Sequence, residues 1–188
     1  AWDGYVYVAN QSGNTVGKYT SSGQAVDTSF ITGLAAPTQL TVADGSLLVL
    51  NSTAGTIGKF DLTTGAAVNT SFITLTDCVP YSMAVSGTNL FVTAASYKNG
   101  HVGNGFVVEY STIDGGYLAD VIPTLSGVPG FFGLAANDQS LYVAAMFGNG
   151  YVSEYSLTGT LVNGKLIDNL NGPTNIMVSG SNLYVLVN

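Results

Sequence analysis

Apolar and polar residues alternate along this chain in short bursts, separated by Gly-, Asp- and Asn-rich breaks, and the bursts recur in a fixed order. Gln39-Leu-Thr-Val-Ala43 has the two-residue period of a half-buried strand. Asp44-Gly45-Ser46 follows as a tight-turn signal, because glycine accepts a positive φ in a two-residue hairpin loop. Leu47 to Leu50 is an unbroken apolar run, as expected of a strand covered on both faces. After a polar loop at 51–55, Thr56-Ile-Gly-Lys-Phe60 predicts a third strand and residues 67–74 a fourth, with a turn at 61–65 between them. Residues 76–80 cross to the next unit, where Pro80 fixes φ at a place that needs no ladder donor. The same order starts again at Ser82 and at Gly133. No stretch carries the 3.6-residue period of an amphipathic helix.

The whole unit repeats. The pair Tyr7-Val8 returns as Leu48-Val49, Phe91-Val92, Tyr142-Val143 and Tyr184-Val185. Aromatic anchors follow at Tyr19, Phe60, Tyr110 and Tyr155, then prolines at Pro37, Pro80, Pro129 and Pro173. A period of about 40 to 50 residues made only of short strands is the signature of a β-propeller blade. The units run over 3–37, 38–80, 81–129 and 130–173, with a partial one at 174–188, all within a single domain. Their common pattern is Pro-x-x-apolar-x-Val, a turn, Asn-Leu-Tyr-Val, a loop, x-Val-x-x-Tyr, a turn and an outer strand. It is clearest in GPTNIMVSGSNLYVLVN (172–188) and SLYVAAMFGNGYVSEYS (140–156). This pattern resembles the NHL-type propeller repeat, here of a bacterial-type extracellular kind. The resemblance implies an all-β propeller of about four blades of four antiparallel strands, with the first strand of each unit innermost. Many such repeats carry an Arg just after the proline, but here those positions are Thr38, Tyr81, Gly130 and Thr174. That substitution removes the cation an anionic or RNA ligand would need at the pore face.

Counting strands exposes a surplus. Asp3-Gly4-Tyr5-Val6-Tyr7-Val8 aligns without gaps on Asp44-Gly45-Ser46-Leu47-Leu48-Val49, so the first unit lacks an innermost strand. The last unit supplies an innermost strand at 175–179 and a second one at 183–187. Seventeen strands result, where four blades accept sixteen. If the strand at 175–179 completes the first blade, Tyr5, Val6, Tyr7 and Val8 compete with Leu183, Tyr184, Val185, Leu186 and Val187 for one place. The loser is expected to seek a partner, since an unpaired apolar strand templates association. It can dock on another copy to give a dimer or a filament, two copies can pool blades, or the chain can be part of a longer propeller. The start at Ala1 rather than Met fits a cleaved leader or a trimmed fragment.

Composition narrows the partners. Only 8% of residues are charged, none is Arg, and the net charge is −7. Nucleic-acid binding needs a basic footprint that is missing here. No apolar run approaches the roughly 18 to 20 residues of a membrane-spanning helix. Surface chemistry carried by Gly, Ser, Thr and Asn suits an extracellular or cell-surface protein. The single Cys78 reads as a half-buried structural thiol. Sequons stand at Asn10, Asn51 and Asn69.

Candidate chemistry is sparse. An insertion in the third unit, residues 96–104, contains the one histidine. Its Tyr97, Lys98, Asn99 and His101 read as a glycine-rich, partner-facing loop outside the blade ladder. His101 alone makes no metal constellation, and it meets Glu109 only if folding brings the two together. Asp3, Asp44, Asp61, Asp114 and Asp138 sit where turns need backbone acceptors. Lys18, Lys59, Glu109 and Glu154 share one repeat position, so neighbouring blades are expected to juxtapose opposite charges. No catalytic, metal-ligating or cofactor-binding residue is expected, and no cofactor. The chain therefore reads as a non-catalytic structural or binding propeller that self-associates, with itself, and a protein or glycan, as partners. Two alternatives remain: a propeller enzyme of the lyase or lactonase type with a channel metal, and a glycan- or peptide-binding module using Tyr97, Phe147 and Tyr151.

Overall fold

The computed structural model describes residues 2–98, 101–123, 131–146 and 149–188, with the backbone alone at 97, 98, 101, 102 and 131. Every element among them is a β-strand, seventeen in all. The strands form antiparallel sheets of the propeller kind. Their contacts group them into two compact units, Ala1–Thr76 and Asp77–Asn188.

The first unit holds two sheets. One has the order β1 (Tyr5–Asn10), β2 (Thr15–Thr20), β3 (Ala25–Ile31); the other runs β4 (Pro37–Ala43), β5 (Ser46–Asn51), β6 (Thr56–Asp61), β7 (Ala67–Thr74). The β4–β5 turn is closed by Asp44 at φ 49° and Gly45 at φ 69°, and the matching Asp3 and Gly4 stand at 50° and 75° before β1. Two successive positive φ angles match the twist of the flanking strands. The apolar run of β5 is buried throughout, and its Leu47 and Val49, with Tyr7, Val16 and Ile31, fill the space between the two sheets. The crossing at 32–36 is stapled by side-chain amides: Asn14 Oδ1 accepts from the Ala36 N–H at 2.9 Å, and Asn51 Oδ1 accepts from the Ala35 N–H at 3.3 Å. The Asn51 sequon is therefore buried and engaged in the folded chain.

The second unit has three sheets. They are β8 (Cys78–Ser86), β9 (Asn89–Lys98), β10 (His101–Ser111), β11 (Tyr117–Ile122); then β12 (Phe131–Ala136), β13 (Ser140–Ala145), β14 (Gly150–Ser156), β15 (Leu161–Leu170); then β16 (Pro173–Ser179) with β17 (Asn182–Val187). Phe91, Leu134, Leu141 and Val143 interlock between the first two of these. The Leu134 N–H donates to Ser82 Oγ across that seam at 3.1 Å. Ile176, Val178, Leu183 and Val185 pack back onto Ala135, Ala144 and Val152. Gly159, at φ 82°, lies so close to the Val121 carbonyl that a Cβ there has no room.

The outer strands bulge in a repeated way. Pairing steps from Val16↔Ile31 to Lys18↔Asp27, from Ile57↔Ile73 to Lys59↔Asn69, and from Val152↔Ile167 to Glu154↔Asn163. Each bulge is fixed by a side-chain oxygen accepting from the N–H two residues on, Asp27 from Ser29, Asn69 from Ser71 and Asn163 from Lys165. Bulged edges resist edge-to-edge pairing.

Two expectations change. Residues 96–104 do not form a loop outside the ladder: β9 and β10 extend through most of them, with His101↔Lys98, Val102↔Tyr97 and Gly105↔Ala95 paired across a bulge. The inserted length offers both strands more ladder bonds, which a free loop forgoes. Asn99 and Gly100 lie outside the described residues. The strand at 175–179 hydrogen-bonds to β17 in a sheet of its own, and β1 pairs with β2 along its length. The two terminal strands thus each have a ladder partner, and what remains exposed is a sheet face rather than an unpaired strand. Two of the charges at the shared repeat position have partners within their own unit. Lys18 enters an aromatic cage in its own unit, and Glu154 accepts from the Ser140 hydroxyl at 2.8 Å.

Candidate functional site

Each four-stranded meander leaves its second-to-third connection and its crossing to the next sheet at one end. In the second unit that end holds His101 at the start of β10, Asn149 before β14, and the link from β15 to β16. Loops at the ends of a rigid sheet scaffold are where propellers and other all-β folds place their sites. Asn149, Asn169, Leu170 and Asn171 line a polar hollow of about 200 Å³ there. Asn149 Nδ2 donates to Asn169 Oδ1 at 3.4 Å, and Asn171 Nδ2 donates to the Asn188 carbonyl at 2.7 Å. Asn169 holds φ 58°, a left-handed conformation that asparagine tolerates better than most residues. Gly150 makes room for the Pro173 ring, which leaves no space for a Cβ. Phe147 lies outside the described residues, and Tyr151 packs against the core of this unit rather than standing free on a loop.

His101 and Glu109 occupy the same strand, eight residues apart. At about 3.3 Å per residue that separates them by roughly 25 Å, so Glu109 does not serve His101. Glu109 sits in mid-strand opposite Phe91, where burial pushes its carboxyl above the usual range. The turn acids behave as turn acids. The Thr64 hydroxyl and N–H, with the Thr63 N–H, hold Asp61 below the ordinary carboxylate range. The Ser111 hydroxyl and the Gly116 N–H do the same for Asp114. Asp138 yields its expected role to Asn137, whose Oδ1 accepts from the Gln139 and Ser140 N–H groups. Burial, and then the charge of Asp77, push the Cys78 thiol up, as expected of an inert structural cysteine. Among the described residues, no three His, Cys, Asp or Glu come together as metal ligands.

The first unit offers a different hollow, about 400 Å³, between its two sheets. Phe30, Asn51, Thr56, Phe60, Thr70 and Ser71 line it. These groups can hydrogen-bond and stack, but the hollow has no titratable lining group and so no acid or base. Beside it, Lys18 is 8% exposed, with its ammonium 4.4 Å from the Tyr5 ring centre, 4.8 Å from Phe30 and 5.6 Å from Tyr7. The ammonium also donates to the Thr63 carbonyl at 3.4 Å, and the Tyr7 hydroxyl donates to the Leu62 carbonyl at 3.0 Å. Sequence reasoning missed this cage, although Tyr5, Tyr7 and Lys18 are cross-strand neighbours once the β1–β2 register is known.

The strands singled out for self-association divide by face. On β1, Tyr5 and Tyr7 turn to the cage while Val6 and Val8 are exposed. On β17, Leu183 and Val185 pack inward, whereas Tyr184, Leu186 and Val187 are exposed.

No protein-family model matches the sequence, and no curated protein is similar to it. Solved structures are similar in fold. A streptogramin B lyase superposes with a TM-score of 0.71 over 99% of this chain and 59% of its own, at 19% identity. Virginiamycin B lyase from Staphylococcus aureus, solved also as a catalytically inactive histidine-to-alanine variant with quinupristin, gives 0.61 over 98% and 74%, at 15% identity. The computationally designed Ika8 protein gives 0.57 over 98% and 53%, at 16% identity. This chain thus spans 59% of the length of the first of these lyases. The expectation of a chain that is not an enzyme is corrected here, because its structural neighbours include lyases. The lack of a local catalytic motif does not decide against catalysis, since folding can bring together groups distant in sequence. At these identities the likeness shows the fold alone: the chain has the β-propeller fold that such lyases also use.

Proposed function

We propose that this chain contributes NHL-like blades to a propeller enzyme of the lyase kind, with His101 as its base. The observation that carries the reading is the superposition of nearly the whole chain on a streptogramin B lyase. The position of His101 at a hairpin tip, and the inactive histidine variant of the staphylococcal lyase, support it. Imidazole titrates near neutrality, which suits a group that must accept a proton and return it. In a lyase reaction the base takes a proton from a carbon beside a carbonyl. The electrons of that C–H bond form a C=C bond, and the leaving group departs with the electron pair of its own bond. The imidazolium then returns its proton to the leaving oxygen. The asparagine amides of the hollow at Asn149, Asn169 and Asn171 suit a substrate rich in amide and ester carbonyls, since they donate hydrogen bonds without adding charge. The described residues do not supply a donor set for a channel metal, and no step passes through one.

Quinupristin and virginiamycin B are the substrates to try, followed by mass spectrometry of the opened ring. Elimination opens a cyclic ester without changing its mass, whereas hydrolysis adds one water. Ring opening at constant mass, lost in His101→Ala, is the expected result. An intact substrate with the wild-type chain, a product heavier by one water, or full turnover by His101→Ala overturns the reading.

A further inference from the structure

We propose that the exposed face of β16–β17 is an interaction surface whose occupant is the β1 face of a second copy of this chain. The argument comes from comparing equivalent positions of the repeat. Tyr184 stands where Leu48 and Phe91 stand in earlier sheets, and Leu186 where Leu50 and Ala144 stand. Those four residues are 0% exposed, while Tyr184 is 52% and Leu186 62% exposed. Met177, beside them at 58%, matches Ala84 and Ala135, which are buried. Asn175, Met177, Tyr184 and Leu186 line a shallow, largely apolar groove of about 290 Å³ on this face.

The second unit shows what covers such a face. Phe91 is buried by Leu141 and Val143, which project backward from the next sheet. The residues at the Leu141 and Val143 positions in β1 are Val6 and Val8, and these are 37% and 40% exposed. One face therefore lacks the knobs that the other displays uncovered. Packing Val6 and Val8 of one copy over Tyr184 and Leu186 of another repeats a contact the chain already makes internally. Nothing in the sequence opposes this contact: β1, β16 and β17 contain no charged residue, so the gatekeepers that keep exposed strands apart are missing. Because the two faces differ, each contact is head-to-tail, closing as a reciprocal pair or extending into a filament. It is independent of the catalytic reading.

Sedimentation velocity of the purified 188-residue chain across a concentration series tests it. Assemblies larger than the 19.3 kDa monomer, dissociating on dilution, are expected. Leu186→Glu and Val8→Glu should each give a monomer with the wild-type β-sheet circular dichroism. An equimolar mixture of the two variants should recover a dimer, since each retains the face the other has lost. If one variant fails to fold, the other still decides. A wild-type chain that stays monomeric at its highest soluble concentration overturns the proposal, as does assembly that survives both substitutions. Two folded variants that fail to combine overturn the head-to-tail geometry and with it the proposed occupant.

Discussion

Replacing Lys18 separates two opposing effects that meet at its ammonium. Burying an ammonium costs several kcal/mol after relaxation unless its surroundings compensate. Here the compensation comes mainly from three rings and one carbonyl, with a weaker attraction from the nearby Asp61 carboxylate. A cation over a ring contributes about 0.5–1 kcal/mol when exposed and about 2 when desolvated. Two of the rings lie within 5 Å of the ammonium, and the third is farther off. A hydrogen bond from a charged donor adds about 1.5–3 kcal/mol, toward the low end here because it is 3.4 Å long. The attraction exceeds the burial cost by a small margin, so Lys18→Met, which keeps the stem and removes the charge, should lose about 1–2 kcal/mol. Lys18→Ala also empties the space filled by the methylenes and should lose about 2–4 kcal/mol, in the range of large-to-small core changes. At about 2–4 °C per kcal/mol for a chain of this length, the Met variant should melt about 2–8 °C lower. Near-UV circular dichroism, which sees Tyr5 and Tyr7 directly, is the readout, backed by urea midpoints. A Met variant as stable as the wild type or more so refutes the reasoning, since it makes ammonium burial a net cost that the cage does not repay.

Two further predictions concern the second unit. Burial pushes the thiol of Cys78 and the phenols of Tyr81, Tyr110 and Tyr155 above their ordinary values. The unfolded chain then releases these protons first and binds fewer than the folded chain, so stability falls as pH rises through the ordinary thiol and phenol range toward the folded values. The urea midpoint should therefore drop from about pH 7 to about pH 10, and a flat or rising midpoint contradicts the burial. Gly159→Ala combines a strained φ with a clash against the Val121 carbonyl, whereas Gly180→Ala has a similar φ and open space. The second should cost about 1–2 kcal/mol for the left-handed backbone alone, and the first clearly more. Equal losses in chemical denaturation show that the close approach at Gly159 contributes nothing.

The sequence by itself determined the strands, their number and their grouping into antiparallel meanders. Those features are local: alternation of period two, a continuous apolar run at Leu47 to Leu50, and turns such as Asp44-Gly45 are written in neighbouring residues. It also identified Asp61 and Asp114 as turn residues, because their partners lie within a few positions. Tertiary structure alone decided which sheet faces meet and which stay open. Tyr184 and Phe91 occupy the same repeat position with the same local pattern, yet only Phe91 is covered, and the residues that cover it lie about fifty positions farther along. The Lys18 cage, the Asn14 and Asn51 staples and the local partner of Glu154 depend likewise on register and rotamer, which alternation does not specify. The insertion at 96–104 misled for a related reason. Glycine and asparagine mark a break in local propensity, but a lengthened hairpin gains ladder bonds on both strands, and the backbone took them. Function was the least legible, since the repeat specifies a scaffold and a scaffold does not specify the chemistry carried on its loops.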